Sequence, residues 1–145
     1  MDGLIVGHRL MAAGEYFSAR KAYLRAGADN GLTVDVLSAI GSADLKLGRL
    51  GQAEANLRKA LEKDPKFVPA HNNLGVTLME QGRAGEAKYV FQTAFALDAG
   101  KSAAIRENLR LAIAKIDDVD YSSPNKEKFR LMRRGAGDYL ILGDN

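Results

Sequence analysis

Residues 38–65 read SAIGSADLKLGRLGQAEANLRKALEKDP, and residues 72–98 read NNLGVTLMEQGRAGEAKYVFQTAFALD. Shifted by 34 positions, Gly41 falls on Gly75, Gly48 on Gly82, Ala53 on Ala87, Leu57 on Phe91 and Ala60 on Ala94. The same step towards the start of the chain lands on Gly7, Gly14, Ala19, Tyr23 and Ala26. A fixed period of about 20 to 50 residues marks stacked supersecondary units that bury their faces only against one another. The expected fold is therefore an all-α solenoid that works by presenting a surface.

Each unit contains two apolar patterns of helical spacing. In the second unit Val36, Leu37, Ile40, Leu45 and Leu47 outline a helix over roughly 34–47, and Ala53, Leu57, Ala60 and Leu61 outline another over roughly 50–63. Gly14, Gly48 and Gly82 stand where the first helix of each unit must stop and can take the left-handed backbone that caps a helix end. Pro65 closes the second helix of its unit, and Pro69 suits the first turn of the next. Gly7, Gly41 and Gly75 lie in mid-helix, where glycine costs about 1 kcal/mol relative to alanine, so close packing must compensate. The expected partners are the alanine columns, small facing small, with Tyr23, Leu57 and Phe91 as knobs that fill the remaining space.

Small residue, turn glycine, alanine, bulky residue, alanine and proline within 34 residues resemble the tetratricopeptide repeat, over about residues 1–101. The resemblance implies a right-handed superhelix of three helix hairpins, with units 1–33, 34–67 and 68–101. The following SAAIRENLRLAIAKIDD has Ser102 as an N-cap and an apolar stripe of Ile105, Leu109, Ala112, Ile113 and Ile116 but no paired second helix. That is the pattern of a capping helix, 102–118, which buries a neighbour on one side and meets water on the other. Residues 119–145 form a tail. The stretches GHRLMAAGEY (7–16), SAIGSADLKLGRLGQAE (38–54) and IRENLRLAIAK (105–115) further resemble bacterial TadD-type tetratricopeptide proteins of tight-adherence pilus assembly, which implies an accessory role in a pilus or secretion apparatus.

In that family the first helices of successive units line a concave groove for a peptide or a partner helix. By register the groove residues are Leu4, His8 and Met11, then Asp35, Ser38, Ser42 and Leu45, then Asn72, Asn73, Val76, Met79 and Glu80, with Arg106 and Arg110 from the capping helix. Met and Leu make an adaptable floor, the asparagines can bond a ligand's backbone, and the arginines can grip a carboxylate. Chaperone-binding members hold an acidic C-terminus with basic and Asn side chains, but the matching positions read Leu4, His8, Ala39, Pro69 and Asn73. Only Asn73 fits, so an acidic C-terminal tail is not the expected ligand. Asp44 stands where Leu10 and Leu78 stand in the other units, which points to an ion pair or a wet pocket rather than catalysis.

Nothing in the chain reads as an enzyme, and no cofactor or metal is expected. His8 and His71 lie in different units without ligand spacing, and no glycine-rich loop carries the Lys and Ser or Thr of a phosphate cradle. The chain has no cysteine, so disulfides and thiolate chemistry are excluded. The net charge of +3 is spread thinly over the units, which argues against a nucleic-acid partner and for a protein or peptide one. The local excess is Lys126 to Arg134, five basic residues against Glu127.

That basic stretch carries Phe129 and Met132 on one face and leads to the apolar Tyr139, Leu140, Ile141 and Leu142. The six apolar residues are candidates for docking on a repeat surface, giving autoinhibition or a homodimer by tail exchange. The basic segment is alternatively a contact for membrane or nucleic acid. The 145 residues as written suit a cytoplasmic protein, but the first unit opens about one residue into its helix, with Gly3 where Leu37 stands in the second unit. Upstream sequence is therefore expected to be missing, and with a targeting signal there the protein would be periplasmic or membrane-anchored.

Overall fold

The computed structural model describes residues 2–121. These form seven α-helices: α1 Gly3–Ala12, α2 Tyr16–Asn30, α3 Val34–Lys46, α4 Leu50–Lys63, α5 Val68–Glu80, α6 Ala84–Leu97 and α7 Ala103–Tyr121. Helices α1/α2, α3/α4 and α5/α6 are hairpins, each helix packs on its neighbours in the chain, and α1, α3, α5 and α7 also touch in succession. The odd-numbered helices thus share one side of the stack. Among the described residues there is no strand, and no helix is long and apolar enough to cross a membrane.

The hairpin turns repeat one geometry. At the end of α3, Gly48 adopts φ +76°, its N–H donates to the Leu45 carbonyl at 3.1 Å, and the Arg49 N–H donates to the Asp44 carbonyl at 2.8 Å. This pair of bonds is the Schellman motif, which satisfies orphan carbonyls at a helix end and needs a residue at positive φ. Gly14 and Gly82 close α1 and α5 with the same bonds. Thr33 Oγ1 accepts from the Val36 N–H at 3.2 Å to start α3, Pro69 lies in the first turn of α5, and Ser102 Oγ accepts from the Ile105 N–H at 3.2 Å to start α7.

The mid-helix glycines pack differently from the small-on-small expectation. A Cβ on Gly7 would lie 2.2 Å from Tyr23 Cε1, one on Gly41 2.7 Å from Leu57 Cγ, and one on Gly75 2.3 Å from Phe91 Cε1. The glycine column lies directly beneath the bulky column. Each knob fits over bare backbone, and the alanines flanking it, Ala19 and Ala26, Ala53 and Ala60, Ala87 and Ala94, are themselves buried and let the two helices close on it. This contact recurs in every hairpin, which is why the glycines are retained against helix propensity.

The apolar interior divides in two. One cluster joins the second and third units to α7 through residues such as Leu57, Leu74, Leu78, Phe91 and Ala112. The other joins the first unit to α3 through Ala19, Tyr23, Val36, Ile40 and Ala43. Asp44 is fully buried, its Oδ1 accepting from Arg20 Nε at 2.5 Å and its Oδ2 from Asn56 Nδ2 at 3.0 Å. The carboxylate therefore ties α2, α3 and α4 together where the equivalent Leu10 and Leu78 offer only hydrocarbon.

Candidate functional site

Helical spacing turns Leu4, Ile5, His8, Met11 and Ala12 of α1 towards Asp35, Ser38, Ala39, Ser42 and Lys46 of α3, and Phe67, Pro69 and Asn73 close the far side. The open pocket between them has a volume of about 600 Å³ and takes residues from all three units. Leu4, Ile5, Met11, Ala39, Phe67 and Pro69 give it apolar surface, and the buried Ser38 and Asn73 give it polar groups. Tyr23 reaches it from α2, and its hydroxyl lies 2.8 Å from His8 Nδ1 with the two rings edge to face at 5.4 Å. Burial pushes the Tyr23 hydroxyl up to about 12, so it stays protonated and available as a donor to the imidazole.

A chain of side-chain hydrogen bonds leads away from the pocket. Ser42 Oγ donates to the Ser38 carbonyl at 3.0 Å and accepts from Asn73 Nδ2 at 2.9 Å. Asn73 Oδ1 in turn accepts from Asn72 Nδ2 at 3.1 Å, and Asn72 Oδ1 accepts from Asn108 Nδ2 of α7 at 3.1 Å. Asn72 and Asn108 are buried, so these bonds replace water that the amides could not otherwise reach. The orientation of the Asn73 amide at the pocket is thereby fixed by partners in α3 and α5, with Asn72 fixed in turn by the capping helix.

Of the groove residues expected from register, Leu4, His8, Met11, Asp35, Ser38, Ser42 and Asn73 line this pocket. Leu45, Asn72, Val76 and Met79 do not; all four are buried in packing with other residues. Leu45, Val76 and Met79 belong to the larger apolar cluster, where Ala112 and Leu109 of α7 also pack, and Asn72 is held by Asn108. The capping helix covers the part of α5 that register alone would leave open. Glu80 is exposed at the end of α5 and outside the pocket. Arg106 donates to the Gly100 carbonyl and braces the α6–α7 turn, while Arg110 pairs with Glu107 one turn away on the same helix. Neither arginine reaches the pocket. His71, outside the pocket, has its Nε2 2.6 Å from the Pro65 carbonyl oxygen. Phe129, Met132, Tyr139, Leu140, Ile141 and Leu142 lie outside the described residues.

Register missed Asp2, Ile5, Ala12, Tyr23, Lys46 and Phe67, which the structure adds to the lining. Phe67 precedes α5 and has no helical register to betray it. Leu4, His8, Ala39, Pro69 and Asn73, the five positions that match the carboxylate clamp, all fall on the one pocket. Among the described residues no group of acidic, His or Cys side chains could hold a metal ion.

Stacked helix hairpins with one lined concave side define an α-solenoid. Residues 41–82 match the family described as TPR repeat, and residues 68–101 match the one described as Tetratricopeptide repeat. Tetratricopeptide repeats are thus matched over residues 41–101. No curated protein sequence matches it. Among solved structures, the Sgt2 TPR domain from Aspergillus fumigatus superposes with a TM-score of 0.77 at 24% identity, covering 81% of this chain and 79% of that one. The first TPR of Spaghetti (RPAP3), bound to the HSP90 peptide SRMEEVD, gives 0.74 at 16% identity over 79% and 90% of the two chains. The Yersinia enterocolitica type III secretion chaperone SycD, in complex with a peptide of the translocator YopD, gives 0.70 at 17% over 78% and 91%. At these identities the likeness is one of fold.

Proposed function

We propose that this protein is a non-enzymatic interaction scaffold that holds a peptide or a partner helix in the pocket between α1, α3 and α5. The observation that carries the reading is the pocket itself: about 600 Å³, with apolar surface from Leu4, Met11 and Phe67 and with Asn73 and His8 held by hydrogen bonds at its wall. An apolar cleft with a few oriented polar groups is what peptide recognition requires. Peptides bound to two solved structures of the same fold support it further. A finer setting, an accessory role in pilus or secretion-apparatus assembly, rests on the resemblance of residues 7–16, 38–54 and 105–115 to TadD-type proteins.

The test is a selection of displayed random 12-residue peptides on the full chain, followed by titration into the Ala12→Trp variant. Ala12 is exposed yet lines the pocket, so the indole fills the cleft without entering the core. Selected peptides should lose most of their affinity for the variant and shift the amide resonances of Ser38, Ser42 and Asn73 in the parent. Peptides that bind both proteins equally, or that shift only residues of α2, α4 and α6, would refute the reading.

A further inference from the structure

Charges around the pocket are unevenly committed. Its cation, Lys46, extends its ammonium over the Tyr16 ring at 5.8 Å from the centroid. His8 is engaged by Tyr23 through Nδ1, and Asn73 commits one amide hydrogen to Ser42. The carboxylates are placed the other way. Asp2 Oδ1 accepts from the Leu4 N–H at 2.9 Å, which leaves Oδ2 for a ligand, and Asp35 stands exposed in the first turn of α3 with no hydrogen bond or ion pair among the described residues. The five positions where clamp-bearing repeats carry basic and Asn side chains hold Leu4, His8, Ala39, Pro69 and Asn73, so an entering carboxylate would meet hydrocarbon, an engaged imidazole and amide, two anions and, as the cation of the lining, Lys46 beside the Tyr16 ring.

We infer that the pocket takes a cationic, apolar segment of a partner protein, with Lys or Arg facing Asp35 and Asp2 and an apolar side chain against Leu4, Met11 and Phe67, and that it rejects acidic C-termini. This rests on the groove reading above and adds the chemistry of the occupant. Complementary rim charges act mainly through specificity and association rate, so discrimination is strongest at low salt.

Two fluorescent probes of matched shape test it on the full chain by anisotropy: SRMEEVD with a free carboxylate, the peptide bound to the Spaghetti repeat, and the amidated SRMKKVK, in which each acid becomes Lys. The cationic probe should bind at least about tenfold tighter at low salt. The double substitution Asp2→Asn with Asp35→Asn, which keeps a capping side chain at Asp2, should cut that preference by roughly two- to fivefold per charge removed. An equal or tighter SRMEEVD complex, or a preference unchanged by the double substitution, overturns the inference. Ala12→Trp separates the two levels. If it abolishes binding while SRMEEVD wins, the charge assignment falls and the groove stands. If the cationic probe binds undiminished, the groove assignment falls too. Failure of both probes to bind rejects the cationic assignment, leaving the groove to the displayed-peptide test. Sedimentation of the full chain covers the remaining occupant: a dimer dispersed by the probe would assign the pocket to a second copy and overturn the partner assignment.

Discussion

Replacing Arg20 by Met should destabilise the protein far more than replacing the carboxylate it serves. The Asp44 side chain has no exposed surface, whereas the Arg20 side chain keeps 21% of its own. Removing the guanidinium leaves a fully buried anion held by the Asn56 hydrogen bond, a situation that costs about 3–5 kcal/mol. For a domain of this size that is roughly 10–20 °C in Tm. Asp44→Leu makes the position resemble Leu10 and Leu78, removes the desolvated charge and leaves an arginine that can turn to water. Its expected effect lies within about 1 kcal/mol of the parent, since exchanging a buried ionic group for packed hydrocarbon is often neutral or better. The double variant should also lie within about 1 kcal/mol of the parent, a coupling of about 3 kcal/mol in the cycle. Urea denaturation followed by circular dichroism reads the cycle, and amide exchange in α1 and α2 localises it, because the pair fastens the first unit to the second. A loss below about 1 kcal/mol for Arg20→Met would refute the reasoning, since the carboxylate would then be reaching water or another donor.

Gly75→Ala should cost about 1–3 kcal/mol in spite of its better helix propensity, because the new methyl meets the buried Phe91 ring at 2.3 Å, while Gly51→Ala and Gly85→Ala, with nothing within 4 Å, should each gain about 0.5–1 kcal/mol in urea denaturation. Burial alone would raise the Glu54 carboxyl, but hydrogen bonds from Arg58, Gln81 and Arg83 outweigh it and hold the group below its ordinary 4.5. A lowered folded value means stability present above 4.5 and lost as pH falls through that lower value, so Glu54→Gln should flatten the acid limb of a Tm–pH profile by less than about 1 kcal/mol. Asn108→Leu should cost about 1–3 kcal/mol by stripping the donor from the fully buried Asn72 Oδ1, and it should also shift the Asn73 side-chain amide resonances.

The helices and their ends were legible because the signals are local. Gly48 is needed where the chain turns after α3, Thr33 and Ser102 start helices with their own hydroxyls, and α3 and α4, at Val34–Lys46 and Leu50–Lys63, lie within a residue of the spans read from apolar spacing. What packs on what was less legible. Periodicity marked Gly75 and Phe91 as fixed columns without saying that one lies beneath the other, since that depends on the rotation of two helices about their axes. The site was legible on α1 and α3, where six register positions line the pocket, with Asn73 of α5 a seventh, and illegible where α7 intrudes. Val76 and Met79 share helical register with open positions, and only the capping helix decides that they are core. Lys46 and Phe67 fall at the end of one helix and before the start of another, where a helical ruler loses its hold.

The amide chain from Ser42 through Asn73 and Asn72 to Asn108 also bears on how the repeats are ordered. The glycine and alanine columns make the three units look alike, and by those columns alone any unit could follow any other. Asn73 needs a hydroxyl in the unit before it and Asn72 needs an amide in the helix after it. The first unit has His8, Leu4 and Ile5 at the sequence positions of Ser42, Asn72 and Asn73, so it supplies neither the hydroxyl nor the amides of such a link. A permuted or duplicated array would bury these amides against hydrocarbon, and the seam thereby confines this sequence to a single succession of units.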